Sequence, residues 1–207
     1  MLRPAARTLL VLALPATLAA QSKSGAGAAA GASGAPFRTP APGAAFVVEG
    51  GFEFGGARII ELTFTDGSTQ NLTTGQGGTI AAGLQYRLPA QPRLSITGTI
   101  GLKFVTNASE NADIGITRVP VEVVARWMLD EKWWAGAGVT QHTAVRVKGD
   151  GFFPDADLTA SPGLTLELGY KWIYATYTAM TYTDETDTEF DAGAIGIMFR
   201  WVPSKRR

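Results

Sequence analysis

The sequence predicts an all-β protein, an eight-stranded antiparallel up-and-down transmembrane β-barrel. Three observations predict it. From Ala45 onward apolar residues recur at every second position over about eight segments, which is the period of a strand and not of a helix. The connections between those segments alternate short and long, as they do when turns gather at one end of a membrane barrel and loops at the other. Tyrosine and tryptophan concentrate beside the short connections, the placement of an interfacial aromatic girdle.

The chain before the barrel falls into two pieces. Residues 1–20 carry Arg3 and Arg7, then an apolar run from Leu9 to Leu14, then small residues ending at Ala19 and Ala20. That is the layout of a secretory signal peptide. Residues 21–44 are rich in Gly, Ala, Ser and Pro, offer no side chains for a core, and read as a flexible leader. The barrel is expected over residues 45–202, followed by a basic C-terminal tail at 203–207.

The strands follow in order, each with its apolar phase. The first presents Phe46, Val48, Gly50, Phe52 and Phe54; the second Ile80, Ala82, Leu84, Tyr86 and Leu88; the third Leu94, Ile96, Gly98, Ile100, Leu102 and Phe104. The fourth presents Val119, Val121, Val123, Ala125, Trp127 and Leu129, and the fifth Trp133, Ala135, Ala137 and Val139. The sixth runs through Leu164, Leu166, Leu168 and Tyr170, and the seventh through Ile173, Ala175, Tyr177 and Ala179. The last has Ile195, Ile197, Phe199 and Trp201 alternating with Gly196, Met198 and Arg200.

No charge falls on that phase. The opposite phase holds Ser, Thr and Gly with Glu49, Glu53, Glu122 and Glu167 set against Arg87, Lys103, Arg118, Arg126, Arg146 and Arg200. A soluble barrel with an oily interior has the same alternation. The strand length of about ten residues and the aromatic placement favour the opposite facing, with the oily phase in lipid and the charges in the lumen. Glu122, Arg126, Glu167, Arg200 and Lys103 are then long side chains of both signs in a narrow bore, and are expected to pair there.

Short connections are expected at 88–92, 130–132 and 171–172, and long ones at roughly 55–78, 106–113, 148–161 and 183–191. Tyr86, Trp127, Trp133, Trp134, Tyr170, Trp172 and Trp201 lie at the short-turn end or the C-terminus. They are expected to form the girdle, with the adjacent Trp133 and Trp134 facing opposite sides of one strand at the rim. Within the first long connection, Asp66-Gly67 is placed as a tight hairpin turn.

Composition narrows the function classes. Lys+Arg 18 balances Asp+Glu 18 over 207 residues, so nothing suggests a nucleic-acid partner. The absence of cysteine excludes disulfides, thiol catalysis, cysteine zinc sites and a lipid-modified N-terminal Cys. No window reaches the roughly 18 apolar residues of a spanning helix.

The stretches IIELTFTDGSTQNLTTGQGG, GLQYRL, ITGTIGLKF, ITRVPVEVVARW, WWAGAGVTQH and YTAMTY, with the closing strand, resemble a family of uncharacterised proteobacterial outer-membrane β-barrel proteins. The family lies in the broad class of small OmpA-like and OmpW-like eight-stranded barrels. The resemblance covers nearly all of residues 45–201 and implies a fold and an outer-membrane location, with both termini periplasmic. It implies no catalytic residue set, cofactor or metal. The final strand is also similar to the C-terminal recognition signal of outer-membrane proteins, departing from it by the residues after Trp201.

His142 is the only histidine, so any His-based catalysis must use it. Lipid A deacylases of this architecture pair a His with a nearby Ser, and His142-Thr143-Ala144 has none. The strand phase points His142 inward near the loop end, in a hydrogen-bonded structural role, and the chain is not expected to be an enzyme. The long loops hold twelve carboxylates, from Glu61 to Asp191, against Arg58 and Lys148. They suit outer-membrane lipid and lipopolysaccharide as partners, with divalent cations as possible bridges, although no stretch has calcium-loop spacing. The expected function is a barrel with a side-chain-plugged lumen and a structural or surface-interaction role through those loops. The alternative is a narrow conduit for small apolar molecules, with a lipid-modifying surface enzyme behind both.

Overall fold

The computed structural model describes residues 40–63, 69–109, 112–151 and 154–203. The expected signal peptide, most of the leader, the Asp66-Gly67 turn and the last four residues lie outside them. In chain order the elements are β1 (Gly43–Phe54), β2 (Arg58–Thr63), β3 (Thr69–Thr73), β4 (Gly77–Arg87), β5 (Leu94–Ser109), β6 (Ala112–Met128) and β7 (Trp133–Lys148). They continue with β8 (Ala156–Ala160), β9 (Gly163–Tyr170), β10 (Ile173–Ala179), β11 (Thr181–Thr183), β12 (Glu189–Asp191) and β13 (Ala194–Trp201).

Eight of these close into a ring in the order β1, β4, β5, β6, β7, β9, β10, β13, every neighbour antiparallel. The seam runs from Val48 opposite Trp201 to Phe54 opposite Ile195. Closure leaves the wall without an edge, which a strand set in hydrocarbon requires. The oily phase faces out: Phe52, Ile80, Leu84, Ile100, Val123, Val139, Leu166 and Ile195 are all exposed, a continuous apolar surface far larger than a water-soluble barrel carries. From Leu94 to Phe104 the belt runs ten residue steps of β5, roughly 34 Å of strand or about 25 Å of height at a tilt near 40°. That height matches a membrane barrel.

Beyond the belt, at the loop end, the wall continues and its two faces exchange character. Ile114 and Ile116 of β6 and Val145 and Val147 of β7 point inward and are buried, while Thr117, Arg146 and Lys148 face outward. Leu72, Ala160, Met180, Tyr182 and Ala192 complete an apolar core, with Ile59, Val105 and Leu158 packed against it. This upper section is organised like a small water-facing barrel standing on the membrane-facing one. Three strands break at the junction: β8 from β9 at Ser161-Pro162, β10 from β11 at Met180, and β12 from β13 at Ala192-Gly193.

Two sequence expectations are corrected here. Of the connection expected at 106–113, residues 106–109 and 112–113 are instead strand, since β5 and β6 stay paired from Lys103 opposite Arg118 out to Ser109 opposite Ala112. The sequence Thr-Asn-Ala-Ser-Glu-Asn-Ala-Asp carries no apolar alternation, so only the backbone pairing shows the strand. Arg146 was expected in the lumen and lies on the outer surface, 3.3 Å from Asp157. The cause is a bulge: Val119 faces Thr143 but Thr117 faces Arg146, so β7 carries one extra residue, and Ala144 sits at φ 48. One inserted residue moves every later side chain to the other face.

The β2–β3 hairpin is seated on this upper section. Thr74, fully buried, donates its hydroxyl to the Ala57 carbonyl at 3.2 Å and to the Asp191 carbonyl. A Cβ on Gly56 would overlap the Thr74 hydroxyl and the Gly75 backbone, so glycine is what lets these segments meet. Below the hairpin, Leu72 enters the apolar core.

Candidate functional site

The lumen is filled in tiers. At the short-turn end, Arg126 of β6 and Glu167 of β9 occupy rows on either side of Gly136 in β7, in register with both. A Cβ at Gly136 would lie 2.7 Å from Glu167 Oε2 and 3.1 Å from Arg126 Cγ; its absence lets the arginine cross the strand between them. Arg126 Nε donates to Glu167 Oε2 at 2.5 Å and Nη2 to Oε1 at 2.7 Å, a bidentate charge-assisted pair. The third guanidinium nitrogen is 2.9 Å from Glu49 Oε1, which also sits 3.1 Å from Arg200 Nε. Glu49 and Arg200 are direct cross-strand partners, and the Tyr174 hydroxyl donates to the other Glu49 oxygen at 3.1 Å.

Aromatic rings line the same tier. The Trp134 ring centroid is 5.3 Å from the Arg126 guanidinium and 5.8 Å from that of Arg200, and its indole N–H donates to the Lys171 carbonyl at 3.2 Å. Trp134 is therefore inside the barrel. The two tryptophans face opposite sides of β7 as expected, and what is corrected is the placing of Trp134 in the outer girdle: it enters the bore, where cations and Tyr174 receive it. Tyr86, Trp127, Trp133, Trp172 and Trp201 are exposed at the short-turn end, with Tyr170 half-buried edge-on against Trp133 at 5.1 Å.

Above this tier lies a cavity of about 40 Å³ bounded by Glu49, Glu53, Lys103, Glu122, Glu167 and His142 among others, room for only a few waters. Glu122 receives the Thr165 hydroxyl at 3.1 Å. The next tier holds Lys103 with its ammonium 2.8 Å from Glu53 Oε2, and the fully buried Arg118, which donates to the Gln76 carbonyl beside the hairpin. His142 Nδ1 is 2.6 Å from the Tyr182 hydroxyl, and Tyr182 leads into the apolar core above.

Of the five charged residues singled out in the sequence, Arg126 and Glu167 meet directly and Arg200 joins them through Glu49. Lys103 stands one tier higher with Glu53, and Glu122 takes a hydroxyl where a cation was expected. Glu49, Tyr174 and Tyr182 were not assigned to the network. Glu49 and Tyr174 lie on the inward phase of their strands, so cross-strand register was the signal that would have joined them.

The loop carboxylates are dispersed. Asp157 pairs with Arg146, Glu61 with Arg58, Asp155 accepts the Gly149 N–H at 2.9 Å, and Asp184 accepts from Thr186 and Thr188. Hydrogen bonds from the Thr186 hydroxyl and the Thr188 backbone hold the Asp184 carboxyl below its ordinary pKa. Among the described residues no group of three or more His, Asp or Glu gathers as a metal site. Asp66 and Glu110 lie outside the described residues.

No protein-family model and no curated protein matches the sequence. Among solved structures, the chain is similar to Ail, the attachment invasion locus protein of Yersinia pestis, at 11% identity and a TM-score of 0.43, over 78% of this chain and 100% of that one. A second structure of Ail, in complex with the heparin analogue sucrose octasulfate, aligns over the same shares at a TM-score of 0.38 and 11% identity.

Proposed function

We propose that the chain is an integral outer-membrane protein whose lumen is plugged by its own side chains and whose work is done at the cell surface by its loop end. The carrying observation is the continuous filling of the bore: the Arg126–Glu167–Glu49–Arg200 tier, a cavity of only about 40 Å³, the Lys103–Glu53 tier, and the apolar core beneath the hairpin. An ion crossing it would have to displace charge pairs and then enter a hydrocarbon-like layer. The belt and its aromatic rim support residence in lipid. In this reading the short-turn end and both termini are periplasmic and the hairpin end is extracellular.

The dispersed carboxylates favour a diffuse negative field at that end over a dedicated cation site. Divalent cations held in that field would bridge it to lipopolysaccharide phosphates. The role is non-enzymatic: His142 is engaged by Tyr182, and Thr143 and Ala144 follow it on the strand. Reconstitution into planar bilayers is the test. Wild-type protein is expected to give no steady unit currents, and reproducible single-channel steps would replace this reading with the conduit alternative.

A further inference from the structure

We propose that the short-turn mouth of the barrel is a binding site for an oxyanion, a phosphate or carboxylate group presented from the aqueous side of that end. A cavity of about 140 Å³ opens there, lined by Arg87, Arg126, Lys132, Lys171 and Arg200 with Ser95, and Glu131 is the one carboxylate beside them. Arg126 and Arg200 are matched by Glu167 and Glu49 deeper in the bore. Arg87 is not matched in this way. It is only 8% exposed, yet its guanidinium donates to the Pro92 carbonyl at 2.8 Å and lies 3.2 Å from the Met128 sulfur, with no carboxylate paired to it among the described residues.

The rim adds to this excess. The Lys171 N–H donates to the Lys132 carbonyl at 2.7 Å, so two turns are tied together at the mouth that both lysines line, with the Lys171 ammonium 5.4 Å from the Tyr170 ring centroid. Trp134 and Met128 form its apolar side. Guanidinium groups that present paired N–H donors, with ammonium groups beside them, are the donor set that recognises phosphate and carboxylate.

The side chains of the flanking segments do not supply the missing charge. Residues 1–48 contain no Asp or Glu, and residues 202–207 contain none while adding Lys205, Arg206 and Arg207. A buried guanidinium without a counter-ion is costly, and an external oxyanion supplies that counter-ion. The site goes beyond the surface-loop function and stands whether or not the bore conducts.

The test uses the full mature chain folded in neutral detergent, titrated with inorganic phosphate at constant ionic strength and followed by calorimetry. The same protein is placed in nanodiscs of phosphatidylcholine with and without phosphatidylglycerol, and its resistance to heat is read by gel mobility. Saturable phosphate binding, roughly tenfold weaker in Lys132→Gln/Lys171→Gln, supports a soluble oxyanion. A rise in heat resistance seen only with phosphatidylglycerol, and lost in the double variant, assigns the lipid headgroup as the source. Both lysines sit at exposed turns, so the variant is expected to fold with wild-type gel mobility. No saturable binding and no lipid effect overturns the proposal, as does a response that the double variant leaves unchanged.

Discussion

Arg126→Met removes the cation at the centre of the lower tier while keeping most of its stem, and its cost follows from who is left behind. Both Glu167 oxygens accept from Arg126, so that carboxylate is stranded in a dry bore. Glu49 keeps Arg200 and the Tyr174 hydroxyl. Breaking a buried pair on one side costs about 3–5 kcal/mol, and the lost contacts to the Trp134 and Tyr174 rings add of order 0.5–1 kcal/mol. Arg126→Met/Glu167→Gln removes both charges and should recover a large part of this, because no uncompensated ion remains. The comparison is Asp187→Asn, in the exposed loop between β11 and β12, expected within about 0.5 kcal/mol of wild type. Urea titration in lipid vesicles, read by gel mobility, measures all three variants. If Arg126→Met and Asp187→Asn cost the same, the interior is wet and the paired-ion account of the plug fails.

Val123→Arg places a charge on the lipid face near mid-belt and should cost about 2–4 kcal/mol in the same titration; a neutral result would invert the assignment of faces. Gly169→Ala would drive its Cβ into the Trp134 ring, and overpacking of this kind costs about 1–3 kcal/mol, so wild-type stability would mean the ring is not held there. Ala144→Gly relieves a left-handed backbone at the β7 bulge and should stabilise by about 0.5–1 kcal/mol, whereas a loss would show that the bulge lies elsewhere. The Asp184 carboxyl is held below its ordinary value by Thr186 and Thr188. Its stabilisation of the loop is therefore full above the unfolded pKa near 4 and is lost as pH falls through the lower folded value. Protection of the Thr186 and Thr188 amides, taken relative to intrinsic exchange at each pH, should fall on acidification below about pH 4, and Asp184→Asn should remove that dependence; identical profiles would refute the cap.

The membrane-facing half of the fold is legible in the sequence because lipid imposes one rule on every strand. Phe52, Leu84, Ile100, Val123 and Ile197 obey it without exception, and period-two counting recovers the eight strands and the turn end. What escaped lies where that rule stops. Above the belt the outside is polar, so Ile114, Ile116, Val145 and Val147 carry the alternation on the inner face, and a lipid-centred reading leaves them out of the apolar phase of its strands. The bulge at Ala144 leaves no mark in residue type: alanine seldom adopts that conformation, and only pairing shows the extra residue that turns Arg146 outward. The lumen charges were visible as inward residues, but their partners depend on which rows are opposite. Arg126 finds Glu167 across Gly136, a relation set by register and by the missing side chain between them.

The interiors of the two sections of the barrel are filled by different physics, and each filling suits its surroundings. Inside the belt the outer surface is oily, so the polar side chains of eight strands face the bore, where Arg126, Glu167, Glu49, Arg200, Lys103 and Glu53 meet as opposite charges. Above the belt the outer surface meets water, the apolar side chains turn inward, and the bore fills with Leu72, Ile114, Ile116, Val145 and Tyr182 by the same hydrophobic burial that stabilises a soluble protein. The change occurs where three strands break together and where β7 carries its extra residue. Arg118 and the His142–Tyr182 pair stand at that boundary, linking the ion tiers to the apolar core and, through the Gln76 carbonyl, to the hairpin. The hairpin is thus tied into the closure of the bore as well as to the outer surface. Loosening the charged tier alone should leave the apolar layer in place, so Arg126→Met is expected to lower stability without opening steady currents in a planar bilayer, and currents appearing in that variant would refute the separation of the two layers.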